Sequence, residues 1–202
     1  EFKNMIKQCN AVGVDIIADV VLNQTTGADV ADGKQTGVAG TEYNGSTGDY
    51  PGFATEQYPE GITASDFHSC SKNISNYANQ QEVQECRLSS MWDFDSESEK
   101  VQDIQSDYLA ALWNAGVRGF RMDAVKHIHT DSMKAIKEKF AKKIGVNADS
   151  IYWIQEVIGN SSEAAGIQPS NYVQNGTVTE FGFKSEMNQT FKDKIANLKG
   201  LN

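Results

Sequence analysis

Acidic side chains stand at or near the C-terminal ends of three predicted strands that are otherwise apolar: Asp19, Asp123 and Glu156. A carboxylate inside an apolar strand is costly unless it is paired or used in chemistry. Arg121 precedes Asp123 by two residues, so both side chains point to the same side of their strand. Lys126 and His127 follow at once and complete a charged cluster, R-x-D-x-x-K-H. A salt bridge to a neighbour would explain any one carboxylate, but the cluster favours a functional site.

Carboxylates from adjacent strands can flank a single bond, which is the arrangement used in glycoside hydrolysis. Arg121 beside Asp123 would keep that carboxylate ionised, as a nucleophile requires. Glu156 has no cation within two positions in the sequence, so we expect it to hold a proton and act as the general acid. No G-x-S-x-G motif occurs, which counts against a serine hydrolase.

The residues that could bind a metal are of the oxygen type. No H-x-x-x-H or C-x-x-C motif occurs, which argues against a zinc site. Asn23, Asp93 and the acidic segment between them could supply oxygen ligands for calcium. His68 and His129 stand in no recognisable pattern and are predicted to be surface residues. Tyr77 lies in a polar segment and is a candidate platform for stacking against a sugar.

Alternating helix and strand patterns must position these residues. Apolar spacing predicts helices near residues 2–12, 96–115, 130–144 and 187–198, and strands near 14–22, 117–125, 151–158 and 178–181. The first strand reads as buried on both faces, and Ser96 with Glu99 forms a predicted capping box. Such alternation implies a parallel sheet covered by helices. A (β/α)₈ barrel and a doubly wound sheet both fit, but no G-x-G-x-x-G or P-loop motif supports nucleotide binding.

A long irregular segment interrupts this alternation. Residues 24–95 contain eight glycines together with Pro51 and Pro59, whereas an ordinary βα connection has about 2–6 residues. We therefore divide the chain into three parts. Residues 1–23 and 96–202 form the α/β body, and residues 24–95 form a small irregular subdomain inserted after a strand.

Composition and charge restrict the class of protein. The chain has 202 residues, of which 39% are hydrophobic, and 27 acidic residues against 18 Lys and Arg give a formal net charge of −9. This is the composition of a globular protein, and no apolar run reaches the roughly 18 residues of a membrane helix. The acidic balance argues against a nucleic-acid partner. The chain starts at Glu1 inside a predicted helix, so we expect an internal part of a longer protein.

Several segments resemble the alpha-amylase family of glycoside hydrolases. They are D-I-I-A-D-V-V-L-N (15–23), V-Q-E-C-R-L-S-S-M-W-D (83–93), G-F-R-M-D-A-V-K-H (119–127), Q-E-V-I (155–158) and N-G-T-V-T-E-F (175–181). The second of these is similar to the calcium-loop segment of the animal and actinobacterial type. The resemblance runs over nearly the whole chain. It implies a partial (β/α)₈ TIM barrel, from about the third to the sixth strand, with a calcium-binding subdomain inserted after the third strand.

The resemblance also implies roles for individual residues. Asp123 would be the nucleophile and Glu156 the acid/base, while Arg121 would orient the nucleophile and, in chloride-dependent members, bind chloride. Sugar contacts would come from Tyr77, Gln24, Lys126 and His127. Calcium ligands would be Asn23, Asp93 and the backbone carbonyls of His127 and Gln84. In line with this resemblance, Cys70 and Cys86 are predicted to form a disulfide, and Cys9 to pair outside this chain.

The implied activity is that of a secreted, extracellular alpha-amylase: retaining endo-hydrolysis of α-1,4-glucosidic bonds in starch and glycogen, by a protein that is monomeric when full length. The cysteines support an extracellular location, and so do Asn-x-Ser/Thr sequons such as those at Asn44, Asn73, Asn160, Asn175 and Asn188.

Two departures from the family pattern leave alternatives open. Gln24 stands where the family usually has a His that contacts sugar, and the third catalytic carboxylate, an Asp in an N-H-D motif, is not among these residues. We therefore expect residues 1–202 alone to be inactive. The alternatives are a sibling α-glucosidase or transglycosylase, and a non-catalytic homologue that binds glucan.

Overall fold

The computed structural model describes residues 1–25, 34–37, 40, 42–44, 62–183, 187–188 and 191. Four parallel strands form its main sheet, in the order β1–β4–β5–β6. Their bounds are Ile17–Val20 (β1), Gly119–Met122 (β4), Tyr152–Gln155 (β5) and Thr177–Val178 (β6). A separate antiparallel pair, Lys34–Thr36 (β2) and Glu42–Asn44 (β3), lies between β1 and β4 in sequence. The neighbours in the main sheet follow chain order, as expected for consecutive strands of a (β/α)₈ barrel.

Helices precede or connect the strands, and their ends follow the expected sequence signals. The bounds are Phe2–Ala11 (α1), Gln80–Glu85 (α2), Glu99–Asn114 (α3) and Thr130–Ile144 (α4). α3 and α4 pack against each other. Gly145 ends α4 in the left-handed conformation, with φ 71°, which glycine adopts without the strain that a Cβ atom would cause. Most of the predicted helix at 187–198 lies outside the described residues.

The core lies between the sheet and its covering helices. Phe120 of β4 and Trp153 of β5 point into it, together with Ile6 of α1, Leu109 of α3 and Phe140 of α4. Phe120 meets Phe140 edge to face, with ring centroids 5.2 Å apart, a favourable aromatic geometry. The apolar faces that the sequence predicts therefore meet in one cluster, which holds the strand ends in place.

Two local predictions differ from the structure. β1 is not buried on both faces: Ile17 is 49% exposed, because β1 is the outermost strand of the sheet in the part of the chain that is described. Ser96 does not cap α3, whose N-cap is Ser98; the Ser96 hydroxyl instead accepts a bond from Gln105.

Backbone bridges close the base of the inserted segment. Gln24 pairs with Asp93 and Phe67 pairs with Phe94, both in antiparallel fashion. Three stretches therefore lie side by side directly after β1: the residues that enter the insert, those that leave it and a stretch from within it. The division of the chain into a body and an insert, with boundaries after residues 23 and 95, stays a prediction.

The predicted Cys70–Cys86 disulfide is present, whereas Cys9 is half-buried and not bonded within the described residues. The Asn175 sequon is buried, since its amide donates to the Thr130 carbonyl at 2.8 Å, so folded protein does not expose it for glycosylation. In the part of the chain that is described, no helix combines the length and apolarity needed to cross a membrane.

We predict that the double change Cys70→Ser and Cys86→Ser lowers the free energy of unfolding of the full-length protein by about 3 kcal/mol. The reason is that a closed loop of about 15 residues restricts the unfolded chain by that amount. Guanidinium unfolding without reductant measures it. Ser69→Ala, at an exposed neighbour, is the control and should change little. A loss below about 1 kcal/mol for the double variant would contradict the prediction.

Candidate active site

The guanidinium of Arg121 binds all three of the strand-end carboxylates. Its Nη1 donates to Asp19 Oδ1 at 2.8 Å and to Asp123 Oδ1 at 2.6 Å, and its Nη2 lies 2.8 Å from Glu156 Oε1. Asp19 is the register partner of Arg121 across the β1–β4 pair. Burial opposes the charge on Arg121, but the bonds to Asp19 and Asp123 raise its pKa further. Glu156 has no cation within two positions in the sequence, but the adjacent strand supplies one.

Backbone bonds beyond the strand ends hold the two predicted catalytic residues. The amide of Asp123 donates to the Val20 carbonyl, and that of Glu156 to the Met122 carbonyl, both at 2.9 Å. Ala124 follows in the left-handed conformation, with φ 48°, which is costly for a residue with a Cβ atom. This conformation lets the Ala124 amide donate to Glu156 Oε2 at 3.0 Å. The residue with the strained backbone, Ala124, thus contacts the candidate acid Glu156 directly.

Asp123 and Glu156 face a cleft of about 440 Å³. Its lining residues are Tyr77, Leu88, Asp123, Ala124, Lys126, His127, Glu156, Ile158 and Glu163. The structure therefore brings together five residues that were assigned to catalysis or sugar contact. Arg121 forms ion pairs with two of them, Asp123 and Glu156. Gln24 is not among the described residues that line the cleft. It is buried beside Asp93, and its Nε2 has no hydrogen-bond partner among the described residues.

One wall of the cleft is built around Lys126. Its ammonium group lies 2.9 Å from Glu163 Oε2, donates to the Ile158 carbonyl at 2.6 Å and sits 4.8 Å from the centre of the Tyr77 ring. Burial raises the pKa of the Tyr77 hydroxyl, and the charge of Glu163 adds to this effect. Sequence reasoning missed Glu163, which belongs to a loop after β5 and stands in no recognisable pattern.

His127 contributes its ring to the cleft and its backbone to a second cluster. The ring is buried, and its Nδ1 is 2.9 Å from the Val83 carbonyl. Burial lowers the pKa of His127 to about 4, although the bond to Val83 acts in the opposite direction. The ring is therefore neutral at neutral pH, with Nδ1 donating to the carbonyl. A neutral ring can contact a sugar through Nε2.

A buried cluster of polar groups lies behind the cleft, where calcium is predicted. The Asn23 amide nitrogen is 2.5 Å from Asp93 Oδ1 and 3.0 Å from the His127 carbonyl oxygen. Burial raises the pKa of Asp93 to about 7, against the effect of its hydrogen bonds from His68 and Asn23. Three of the predicted ligands thus converge on one point. The fourth predicted ligand is the backbone carbonyl of Gln84, whose side chain donates to the Tyr172 hydroxyl at 3.1 Å.

Both histidines that were predicted to lie on the surface belong to an ion-pair network. His68 Nδ1 is 2.7 Å from Asp93 Oδ2, and His68 Nε2 is 3.2 Å from Glu97 Oε2. His129 Nε2 binds the other oxygen of Glu97 at 2.7 Å. Burial opposes the charge on His68, but the bonds to Asp93 and Glu97 raise its pKa to about 10. No local sequence pattern signals this network, because its members come from distant segments.

Comparison with known proteins agrees with the geometry. The family model described as "Alpha amylase, catalytic domain" matches residues 1–199. An alpha-amylase of Streptomyces violaceus is 34% identical over 98% of this chain and 31% of its own length. One of Aeromonas hydrophila is 36% identical over 100% of this chain and 40% of its own length. The chain thus spans well under half the length of these relatives.

Solved structures show the same fold. The crystal structure of alpha-amylase I from Eisenia fetida superposes with a TM-score of 0.79, at 33% identity, over 98% of this chain and 40% of that protein. A mutant of the same enzyme in complex with maltohexaose superposes equally well, with a TM-score of 0.79 and 32% identity over the same shares of both chains.

We predict that His127 makes the full-length protein less stable in acid. Its pKa is about 4 when folded and about 6.5 when unfolded. Below pH 6.5 the unfolded chain therefore binds more protons, and stability is lost as the pH falls towards 4. Between pH 7 and pH 5 this one group should cost about 2 kcal/mol.

The test compares wild type with His127→Asn, which keeps a donor for the Val83 carbonyl but does not titrate. Urea unfolding at pH 7 and pH 5 should show a smaller loss in the variant by about that amount. Equal losses in both proteins would show that His127 is not held neutral.

Proposed function

Because the chain belongs to the alpha-amylase family of glycoside hydrolases, we propose that it carries two catalytic carboxylates of an endo-acting enzyme. The enzyme would cleave α-1,4-glucosidic bonds in starch and glycogen with retention of anomeric configuration. One observation carries the proposal most directly: Asp123 and Glu156 end neighbouring parallel strands, contact one guanidinium and face one cleft. This is the layout that two-carboxylate glycoside hydrolysis needs.

In this proposal Asp123 is the nucleophile. Arg121 donates to its carboxylate at 2.6 Å, which holds the group in place at the end of β4. The anomeric carbon of the sugar would bond to Asp123, and the glycosidic oxygen would leave with a proton from Glu156. Water would then hydrolyse the glycosyl-enzyme, with Glu156 acting as base. A carboxyl separation of about 5–5.5 Å is expected for this retaining course.

Glu156 must change its contacts to act as the acid. Its two oxygens meet the Arg121 guanidinium and the Ala124 amide, and both contacts suit a carboxylate without a proton. A glucan entering the cleft would bring its glycosidic oxygen to Glu156. We expect the carboxyl group to move away from Arg121 at that stage, which frees it to carry the proton.

Substrate recognition would use the wall formed by Tyr77, Lys126, His127 and Glu163. The Tyr77 ring offers an apolar face, while the paired charges of Lys126 and Glu163 offer both a donor and an acceptor to sugar hydroxyls. The maltohexaose complex of the Eisenia fetida enzyme supports an α-glucan as the ligand class. Gln24 would act from behind the cleft rather than within its lining.

Calcium fits the buried cluster behind the cleft. If the Asn23 amide turned over, its oxygen would join Asp93 Oδ1 and the His127 carbonyl around one point, giving hard oxygen ligands of the kind calcium takes. A divalent ion would bind Oδ1 of the buried Asp93 carboxylate, while its Oδ2 keeps the contact with His68. The ion would tie the end of β1, the insert and the turn after β4. The carbonyl of Gln84 would be a further ligand.

Chloride beside Arg121 is the weaker of the two ion assignments. Three carboxylates already surround the guanidinium, and they would repel an anion unless further cationic groups joined the site. Secretion is the proposed location, since the Cys70–Cys86 disulfide is a bond that persists in oxidising compartments.

We predict that Asp123→Asn in the full-length enzyme lowers kcat on starch by about 10⁴-fold, since no glycosyl-enzyme can form. Glu156→Gln should be as damaging on starch but should spare the first step on an activated aryl maltoside, whose leaving group needs no proton. Asp149→Asn and Glu138→Gln are matched controls at exposed positions. Reducing-end assays and NMR of the first product measure both effects. A β-anomer as first product, or full activity in Asp123→Asn, would contradict the assignment.

We also predict that a chelator lowers the stability of the full-length enzyme. Where free calcium is 100 times its dissociation constant, removing it should cost about 2.7 kcal/mol. Asp93→Asn should abolish most of this response, whereas Asp107→Asn on the exposed face of α3 should keep it. Thermal melting with calcium and with chelator measures the difference. An unchanged melting temperature in wild type would refute the site.

A further inference from the structure

We propose that His68, Asp95 and Glu97 form a second metal site, for a first-row transition-metal ion such as Zn²⁺. His68 Nε2 lies 3.2 Å from Glu97 Oε2 and 3.7 Å from Asp95 Oδ1. One ligand atom from each residue falls within 4.8 Å of the others. Ligands around a tetrahedral zinc ion at about 2.0–2.1 Å lie roughly 3.3 Å apart, so small side-chain movements would close the shell.

The chemistry of the ligands selects the metal. An imidazole nitrogen is a good ligand for zinc and its neighbours in the first row, whereas calcium prefers oxygen ligands. Two carboxylates complete a three-residue set that leaves a fourth position for water, as in zinc sites that remain open. This set differs from the buried oxygen cluster at Asn23 and Asp93 in both ligand type and exposure, since Asp95 and Glu97 reach solvent.

Each of two proposed ligands is oriented by a partner outside the set. His68 Nδ1 is 2.7 Å from Asp93 Oδ2, which fixes the ring and directs Nε2 towards Glu97. Glu97 Oε1 is 2.7 Å from His129 Nε2, which leaves Oε2 facing His68. Supporting contacts of this kind hold the ligands of metal sites in place. Without metal, a proton on His68 Nε2 would serve the Glu97 contact, and binding would release that proton.

The backbone brings these ligands together from distant segments. The His68 amide donates to the Asp93 carbonyl at 2.9 Å, and the Asp95 amide donates to the Asp66 carbonyl at 3.0 Å. The segments at 66–68 and 93–95 therefore lie side by side. Such a site contains no H-x-x-x-H or C-x-x-C motif, because its one histidine is far in sequence from Asp95 and Glu97.

The test is zinc titration of the full-length protein by calorimetry, in saturating calcium so that the oxygen cluster is filled. We expect one zinc ion per chain in wild type, at least tenfold weaker binding in Glu97→Gln, and unchanged binding in Glu99→Gln, the exposed neighbour on the same segment. Asp95→Asn should repeat the loss if Glu97→Gln folds poorly. Cobalt substitution should give the visible bands of a four- or five-coordinate ion in wild type and lose them in Glu97→Gln.

These outcomes do not depend on starch hydrolysis, so the site and the proposed activity can fail separately. Absence of stoichiometric zinc binding in wild type would overturn the proposal. Equal affinity in wild type, Glu97→Gln and Asp95→Asn would also overturn it, because zinc would then bind elsewhere.

Discussion

The contact of Arg121 with three carboxylates is the interaction on which the candidate active site depends. Carboxylates that lie close together repel one another, and the shared cation offsets this repulsion among Asp19, Asp123 and Glu156. Parallel pairing supplies the geometry, because β1, β4 and β5 end at the same edge of the sheet. The ladder then continues by one residue to anchor the amides of Asp123 and Glu156. Fold and electrostatics thus act on the same few residues.

Much of this arrangement follows from the sequence, and the remainder does not for physical reasons. Arg121 and Asp123 share a face because side chains alternate along a strand, which any spacing of two residues reveals. The contact of Arg121 with Glu156 joins two different strands. The sequence of neither strand alone determines the register in which they pair. The exposure of β1 likewise depends on what packs beside it. The capping box at Ser96 failed because the Ser96 hydroxyl is used by Gln105 in the interior.

The residues that sequence reasoning missed lie in irregular segments. Glu163 reaches Lys126 from a loop after β5, and His68 reaches Glu97 through bridges at the base of the insert. Neither segment has a hydrophobic period that would place its side chains. Backbone contacts with distant residues help to place them instead: the Ala164 amide donates to the Tyr77 carbonyl, and Phe67 pairs with Phe94. Charged residues in such segments look like solvent-exposed groups until the fold shows their partners. Both histidines that were predicted to lie on the surface illustrate this.

The turn after β4 couples the cleft to the buried cluster behind it. Ala124 starts the turn in the left-handed conformation, and the 3₁₀ segment Val125–His127 follows. The His127 ring lines the cleft, while its carbonyl accepts from Asn23 on the other side. Tyr172 holds the end of the turn, because its buried hydroxyl donates to the Ile128 carbonyl at 2.9 Å. An ion in that cluster would therefore act on the reaction through geometry: it would fix the carbonyl of His127, and with it the wall that carries Lys126.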